Sequence, residues 1–127
     1  MRIVYHEGYG GFMLPDEVMK KLNTTSKFEH DRADPKLADI VEANMKANIG
    51  AFKNQTEFND VWVWLHRIAN IDEFNALRVV TLPNDTTDWL ISDYDGSETV
   101  YCVVKGRLNV AWCDYNGDTH IEPCGHM

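Results

Sequence analysis

Residues 89–112 read WLISDYDGSETVYCVVKGRLNVAW, three strand-like runs joined by two short turns, Asp95-Gly96 and Lys105-Gly106. Two-residue hairpin loops need positive φ angles, which an Asp-Gly pair adopts at little cost. Three runs joined by such turns are typical of strands that pair in chain order. The stretch therefore predicts an antiparallel β-meander.

The turns also predict which residues of the meander face each other. A two-residue loop places Asp93 opposite Glu98, and Val103 opposite Leu108. Both faces of the resulting sheet are partly apolar, so at least one needs a cover. One face carries Leu90, Tyr101, Val103, Leu108, Val110 and Trp112, and the other carries Trp89, Ile91, Val100, Cys102 and Ala111.

Amphipathic segments upstream can supply that cover. Leu14–Leu22 has a proline and acids at its start and lysines at its end, the order that suits a short helix and its dipole. Asp34 is placed to cap a second helix that begins at Pro35 and repeats apolar residues at helical spacing. Residues 56–69 have strand propensity as well as helical spacing, and we favour a helix capped by Thr56.

These elements predict the fold class. Leu77–Leu82 indicates a further strand, and no helical pattern follows it. We expect one α+β domain over residues 1–127, in which two or three helices from the N-terminal half cover a β-meander from the C-terminal half.

Composition limits the function classes. Twenty acidic against twelve basic side chains give a net charge of −8, which argues against general nucleic-acid binding. No apolar run is long enough to span a bilayer, so no membrane partner is expected. An odd number of cysteines, three, and the lack of a secretory leader suggest the reducing cytoplasm.

The turn between the first two strands of the meander is a candidate binding site. In the predicted register Asp93, Tyr94, Asp95 and Glu98 lie together at its tip. Such an acidic tip can attract a metal ion or an Arg or Lys from a partner protein. The commoner alternative is a solvated turn, since Asp and Gly are the residues such turns require.

A glycine-rich loop near the start is a second candidate. Tyr9, Gly10, Gly11 and Phe12 follow a strand-like run and precede the first helix. Backbone N–H groups in such loops can cradle a phosphate. The loop lacks the third glycine of the dinucleotide fingerprint, so a tight turn is its commoner use.

Four potential zinc ligands, Cys113, His120, Cys124 and His126, lie near the C-terminus. They are weak candidates because their spacing matches no Cys-x-x-Cys knuckle. We therefore expect no metal and no other cofactor.

Three motifs in a fixed order carry a resemblance. They are Tyr-Gly-Gly-Phe at residues 9–12, Asp-Pro-x-Leu at 34–37 and Asp-Tyr-Asp-Gly-x-Glu at 93–98. The chain resembles a group of short, functionally unassigned proteins of bacteriophages and bacterial genomes that share this order. The resemblance implies a phage-type accessory protein of the bacterial cytoplasm, and it implies no activity or catalytic residue.

The hypothesis from sequence is a small acidic accessory protein that acts by binding and engages or inhibits a host protein. One alternative is a sponge that binds a nucleotide signal with the glycine-rich loop. A second is a small metal-dependent hydrolase that uses Asp93, Asp95 and Glu98. An exposed strand edge at Leu77–Leu82 or at Arg107–Cys113 could also pair with a second copy, which favours a homodimer.

Overall fold

The structure, a computed structural model, describes residues 1–7, 11–47, 76–94 and 97–124. These ranges form a two-stranded antiparallel ribbon, β1-β2, and a four-stranded antiparallel sheet, β3-β4-β5-β6. The predicted α+β fold with a C-terminal β-meander is confirmed. The helix predicted at 56–69 lies outside the described residues. The elements are β1 Arg2–His6, α1 Asp16–Leu22, α2 Pro35–Ala47, β2 Leu77–Thr81, β3 Thr86–Tyr94, β4 Ser97–Val104, β5 Arg107–Cys113 and β6 Thr119–Pro123.

The register of the meander is the predicted one. Asp93 is opposite Glu98, and Val103 is opposite Leu108. In the β4–β5 turn the φ angles are +53° at Lys105 and +74° at Gly106, as the mirror-image hairpin turns require.

The prediction that Arg107–Cys113 is an edge strand is wrong. β5 pairs with β4 on one side and with β6 on the other. The sequence of β6, Thr-His-Ile-Glu-Pro, holds one aliphatic side chain and therefore has little of the alternating apolar pattern that indicates a strand.

The ribbon lies between the helical part and the meander. α2 contacts β1 and β2, while the ribbon contacts β4, β5 and β6. The inner face of the meander is buried through Val100, Cys102 and Ala111, each at most 1% exposed. The opposite face remains partly exposed, so among the described residues the sheet is covered on one side.

Both described helices begin at residues suited to that position, and α1 also ends at one. The Lys36 N–H donates to Oδ1 of Asp34 at 2.9 Å, so Asp34 caps α2 as predicted. α1 starts after Pro15 and ends at Asn23, which adopts the left-handed conformation. Neither helix has the length and apolar character needed to cross a membrane, and this holds for the described residues as a whole.

Candidate functional site

Arg32 joins the glycine-rich loop to the acidic hairpin. Its Nη1 and Nη2 atoms donate to Oε1 and Oε2 of Glu98 at 2.7 and 2.9 Å. The guanidinium carbon lies 3.5 Å from the centroid of the Phe12 ring. Phe12 and Glu98 are 7% and 8% exposed. The acidic tip is predicted to attract a metal ion or a basic side chain from a partner, but the cation that Glu98 binds is Arg32 of the same chain. Phe12 and Glu98 therefore both contribute to the fold.

Strand β1 forms backbone hydrogen bonds to both Arg32 and Glu98. The Val4 N–H donates to the Arg32 carbonyl at 2.9 Å, and the His6 N–H donates to Oε1 of Glu98 at 2.7 Å. Charge-assisted bonds of this kind are among the stronger ones in proteins. The Arg32–Glu98 pair therefore joins three segments: the loop before α2, β1 and β4.

Sequence reasoning missed Arg32, which lies in a polar loop without a pattern. A signal was nevertheless present in β4. Glu98 alternates with Val100 and Cys102, which places it on the inner face of the sheet. A carboxylate in that position needs a cation or several N–H donors.

Of the other predicted residues of these two loops, the structure describes Gly11, Asp93 and the backbone of Tyr94. Asp93 is exposed on the hairpin, and Gly11 is half-buried with a φ of +87°. Tyr94 pairs with Ser97 across the hairpin. Three further candidates, Tyr9, Gly10 and Asp95, lie outside the described residues.

The C-terminal zinc candidates do not form one ligand set. Trp112 pairs with His120 and Cys113 with Thr119, so Cys113 and His120 point to opposite faces of the sheet. His126 lies outside the described residues. Within those residues, no group of three or more His, Cys, Asp or Glu side chains could hold a metal ion. The remaining candidate, Cys124, is half-buried just after β6.

Asp114 organises the β5–β6 hairpin. Its Oδ1 atom accepts hydrogen bonds from the N–H groups of Asn116 and Asp118, both at 2.9 Å. Its Oδ2 atom lies 2.6 Å from Nε2 of His120. Burial acts to raise the pKa of Asp114, but these hydrogen bonds outweigh it and hold the pKa below its ordinary value. The carboxylate is thus used in shaping the turn.

A buried group of titratable side chains lies where the ribbon meets β5. Arg78 donates to the Asp114 carbonyl at 2.8 Å and to Sγ of Cys113 at 3.4 Å. Its Nε atom lies 3.8 Å from Oε2 of Glu7. The Tyr5 hydroxyl accepts from the Cys113 N–H at 3.1 Å. This group ties the first strand of the chain to the fifth.

Burial controls the protonation of this group. It raises the pKa of Glu7 to about 7, against the lowering effect of Arg78. It also raises the pKa of the Cys113 thiol to about 11 and that of Tyr5 well above its ordinary value. Thiol and phenol therefore stay protonated at neutral pH, and neither is an activated nucleophile.

The outer face of the meander is the strongest candidate interaction surface. We use this name for Leu90, Tyr101, Val103, Leu108, Val110 and Trp112. The strands place Leu90, Tyr101 and Val110 in one cross-strand row that ends at Glu122. A parallel row runs from Asp88 through Val103 to Leu108.

Exposure and charge distinguish the outer face from the inner one. Leu90 is 52% exposed, and the other five apolar side chains are half-buried. Asp88 and Glu122, on the two outer strands, are exposed. The Trp112 ring stacks on His120 with centroids 4.4 Å apart. The arrangement is an apolar centre on a regular sheet, flanked by two acids.

Comparison of the chain with models of protein families, with curated proteins and with solved structures finds no match.

Proposed function

We propose that this chain is a small acidic accessory protein of the phage type that acts by binding, and that it engages or inhibits a host protein in the bacterial cytoplasm through the outer face of the meander. The observation that carries the proposal is the row Leu90–Tyr101–Val110 on a sheet whose other face is buried. Apolar and aromatic side chains in the centre of a surface are typical anchors of protein interfaces.

Charge indicates the chemistry of the partner. Asp88 and Glu122 flank the apolar rows, and the whole chain carries a net charge of −8. A complementary surface has an apolar centre with Lys or Arg side chains around it. Opposite charges of this kind speed association and make it sensitive to salt.

The test is retention of proteins from a bacterial lysate by the immobilised chain. The double variant Val103→Thr/Val110→Thr keeps the β-branched shape that strands favour but makes the centre of the outer face polar. The variant Asp88→Lys/Glu122→Lys reverses the flanking charge. Phe28→Ser is the matched control, because Phe28 is 67% exposed and lies in the chain between α1 and α2, outside the strands.

The proposal predicts one set of retained proteins that is lost with both double variants and kept with the control. It also predicts that salt elutes this set. Equal retention by all four proteins contradicts the proposal. Absence of that set, together with a rise in thermal midpoint when nucleotides are added, favours the nucleotide sponge instead.

A further inference from the structure

The two outer edges of the meander differ. β4 pairs with β3, and no other described strand lies along the second edge of β3. β6 is five residues long and contains Pro123, which has no N–H group. Thr119 in β6 accepts a hydrogen bond from the Thr81 N–H at 2.8 Å. β3 is the longer edge, with nine residues, and such an edge is a template for pairing with another chain.

The centre of β3 has a symmetric pattern of polarity. Its middle residue, Leu90, is 52% exposed. Trp89 and Ile91 on either side are half-buried, and Asp88 and Ser92 beyond them are exposed. The order polar, apolar, apolar, apolar, polar is therefore the same in both chain directions.

We propose that β3 pairs with β3 of a second copy of this chain, antiparallel and two-fold symmetric about Leu90. This register sets Leu90 opposite the partner's Leu90 and Trp89 opposite the partner's Ile91. It also sets Asp88 opposite the partner's Ser92. Residues opposite each other share a face, so apolar side chains meet on both faces of the extended sheet.

Other symmetric registers match less well. An axis at Trp89 sets Asp88 opposite the partner's Leu90, and an axis at Ile91 sets Trp89 opposite the partner's Asp93. An axis at Asp88 sets two carboxylates opposite each other, which is destabilising. The register about Leu90 alone among these four places acids opposite hydroxyls and apolar residues opposite apolar residues.

This dimer uses a different edge from those predicted from the sequence. It shares Leu90 and Asp88 with the outer face, but it forms by backbone pairing along the edge of β3 and stands whether or not a host partner exists. Because each chain carries a net charge of −8, salt should strengthen the dimer by screening the repulsion between the copies. Salt should weaken the host complex, so the two proposals can fail separately.

Sedimentation equilibrium of the full chain tests the association. We expect a monomer–dimer equilibrium that moves toward dimer as salt is added. Leu90→Lys places two ammonium groups opposite each other and should weaken the dimer at least about tenfold. Phe28→Lys, an exposed position outside the sheet, should leave it unchanged. A monomer at every concentration up to about 1 mM, or a dimer that persists in Leu90→Lys, overturns the proposal.

Cross-linking tests the register. In a Cys124→Ser background, Leu90→Cys brings two thiols together at the two-fold axis, because opposite Cβ atoms lie about 4.5–5.5 Å apart. A mild oxidant should then give a covalent dimer. Ser92→Cys faces the partner's Asp88 and should cross-link much less. Equal cross-linking of the two variants overturns the register.

Discussion

Arg32 and Glu98 form a bidentate ion pair in which the two guanidinium Nη atoms donate to the two carboxylate oxygens, at 2.7 and 2.9 Å. The two side chains are 19% and 6% exposed. The pair connects the loop before α2 to the start of β4, and its guanidinium also covers the Phe12 ring.

Arg32→Ala should destabilise the fold by about 3–5 kcal/mol, because it leaves the Glu98 carboxylate buried without its cation. Arg32→Lys should recover only part of this loss, since an ammonium cannot form both bonds in the same plane. Arg2→Ala is the control. Arg2 pairs with Asp39, which is 70% exposed, so its loss should cost below about 1 kcal/mol. Chemical denaturation followed by tryptophan fluorescence measures these differences, and equal losses for Arg32→Ala and Arg2→Ala would contradict the assignment.

Burial raises the pKa of the Glu7 carboxyl from its ordinary value of 4.5 to about 7. The free energy of unfolding should therefore fall as the pH rises through this range. In that window the folded chain keeps a proton that the unfolded chain has lost, so raising the pH favours unfolding. Below pH 4.5 the Glu7 carboxyl is protonated in both the folded and the unfolded chain. Above about pH 7 it is ionised in both, and its contribution to stability is fully lost.

Glu7→Gln removes this titration and isolates its effect. The Oε2 atom of Glu7 is buried, but the side chain as a whole is 29% exposed, so solvent screens part of the effect. Between pH 5 and pH 8 we expect the free energy of unfolding of Glu7→Gln to rise by about 1–2 kcal/mol relative to that of the wild type. Denaturation midpoints of both proteins at several pH values provide the measurement. A difference between the two proteins that does not change with pH is the contrary result.

Cysteine reactivity should follow burial. Burial raises the pKa of the Cys113 and Cys102 thiols, and both side chains are buried, whereas Cys124 is half-buried. Titration of the native chain with a disulfide reagent should therefore show one fast thiol, Cys124, and all three should react after denaturation. Rapid reaction of Cys113 in the native chain would show that its surroundings are open.

The β4–β5 turn offers a stabilising substitution. Lys105 has a φ of +53°, a conformation that costs most L-residues energy but that Asn tolerates. Lys105→Asn should raise stability by about 0.5–1 kcal/mol, and Gly106→Ala should lower it by about 1 kcal/mol because φ is also positive there. Thermal unfolding measures both, and a lower midpoint in Lys105→Asn would be inconsistent with this turn geometry.

The parts of the fold that depend on neighbouring residues were predictable. Lys105-Gly106 determines a hairpin from two positions, and the predicted turns determine which residues of the meander share a face. Asp34 and Pro35 likewise mark the start of α2 through interactions within one turn. These features depend on backbone conformation and on side-chain periodicity, which can be read locally.

The remaining features depend on contacts between distant segments. Arg32 lies in a loop whose composition does not indicate that it meets Glu98. β6 is stabilised by pairing with β5 rather than by its own residue types. The placement of Glu7 beside Arg78 follows from packing of the ribbon against β5, which no local pattern encodes.

The central claim is that the outer face of the meander is covered when a host protein binds. Hydroxyl-radical footprinting with and without the captured partner measures this directly, because it reports the solvent access of individual aromatic side chains. We expect labelling of Tyr101 and Trp112 to fall in the complex while that of Phe28 stays the same. Protection of Phe28 with unchanged labelling of Tyr101 and Trp112 would contradict the claim.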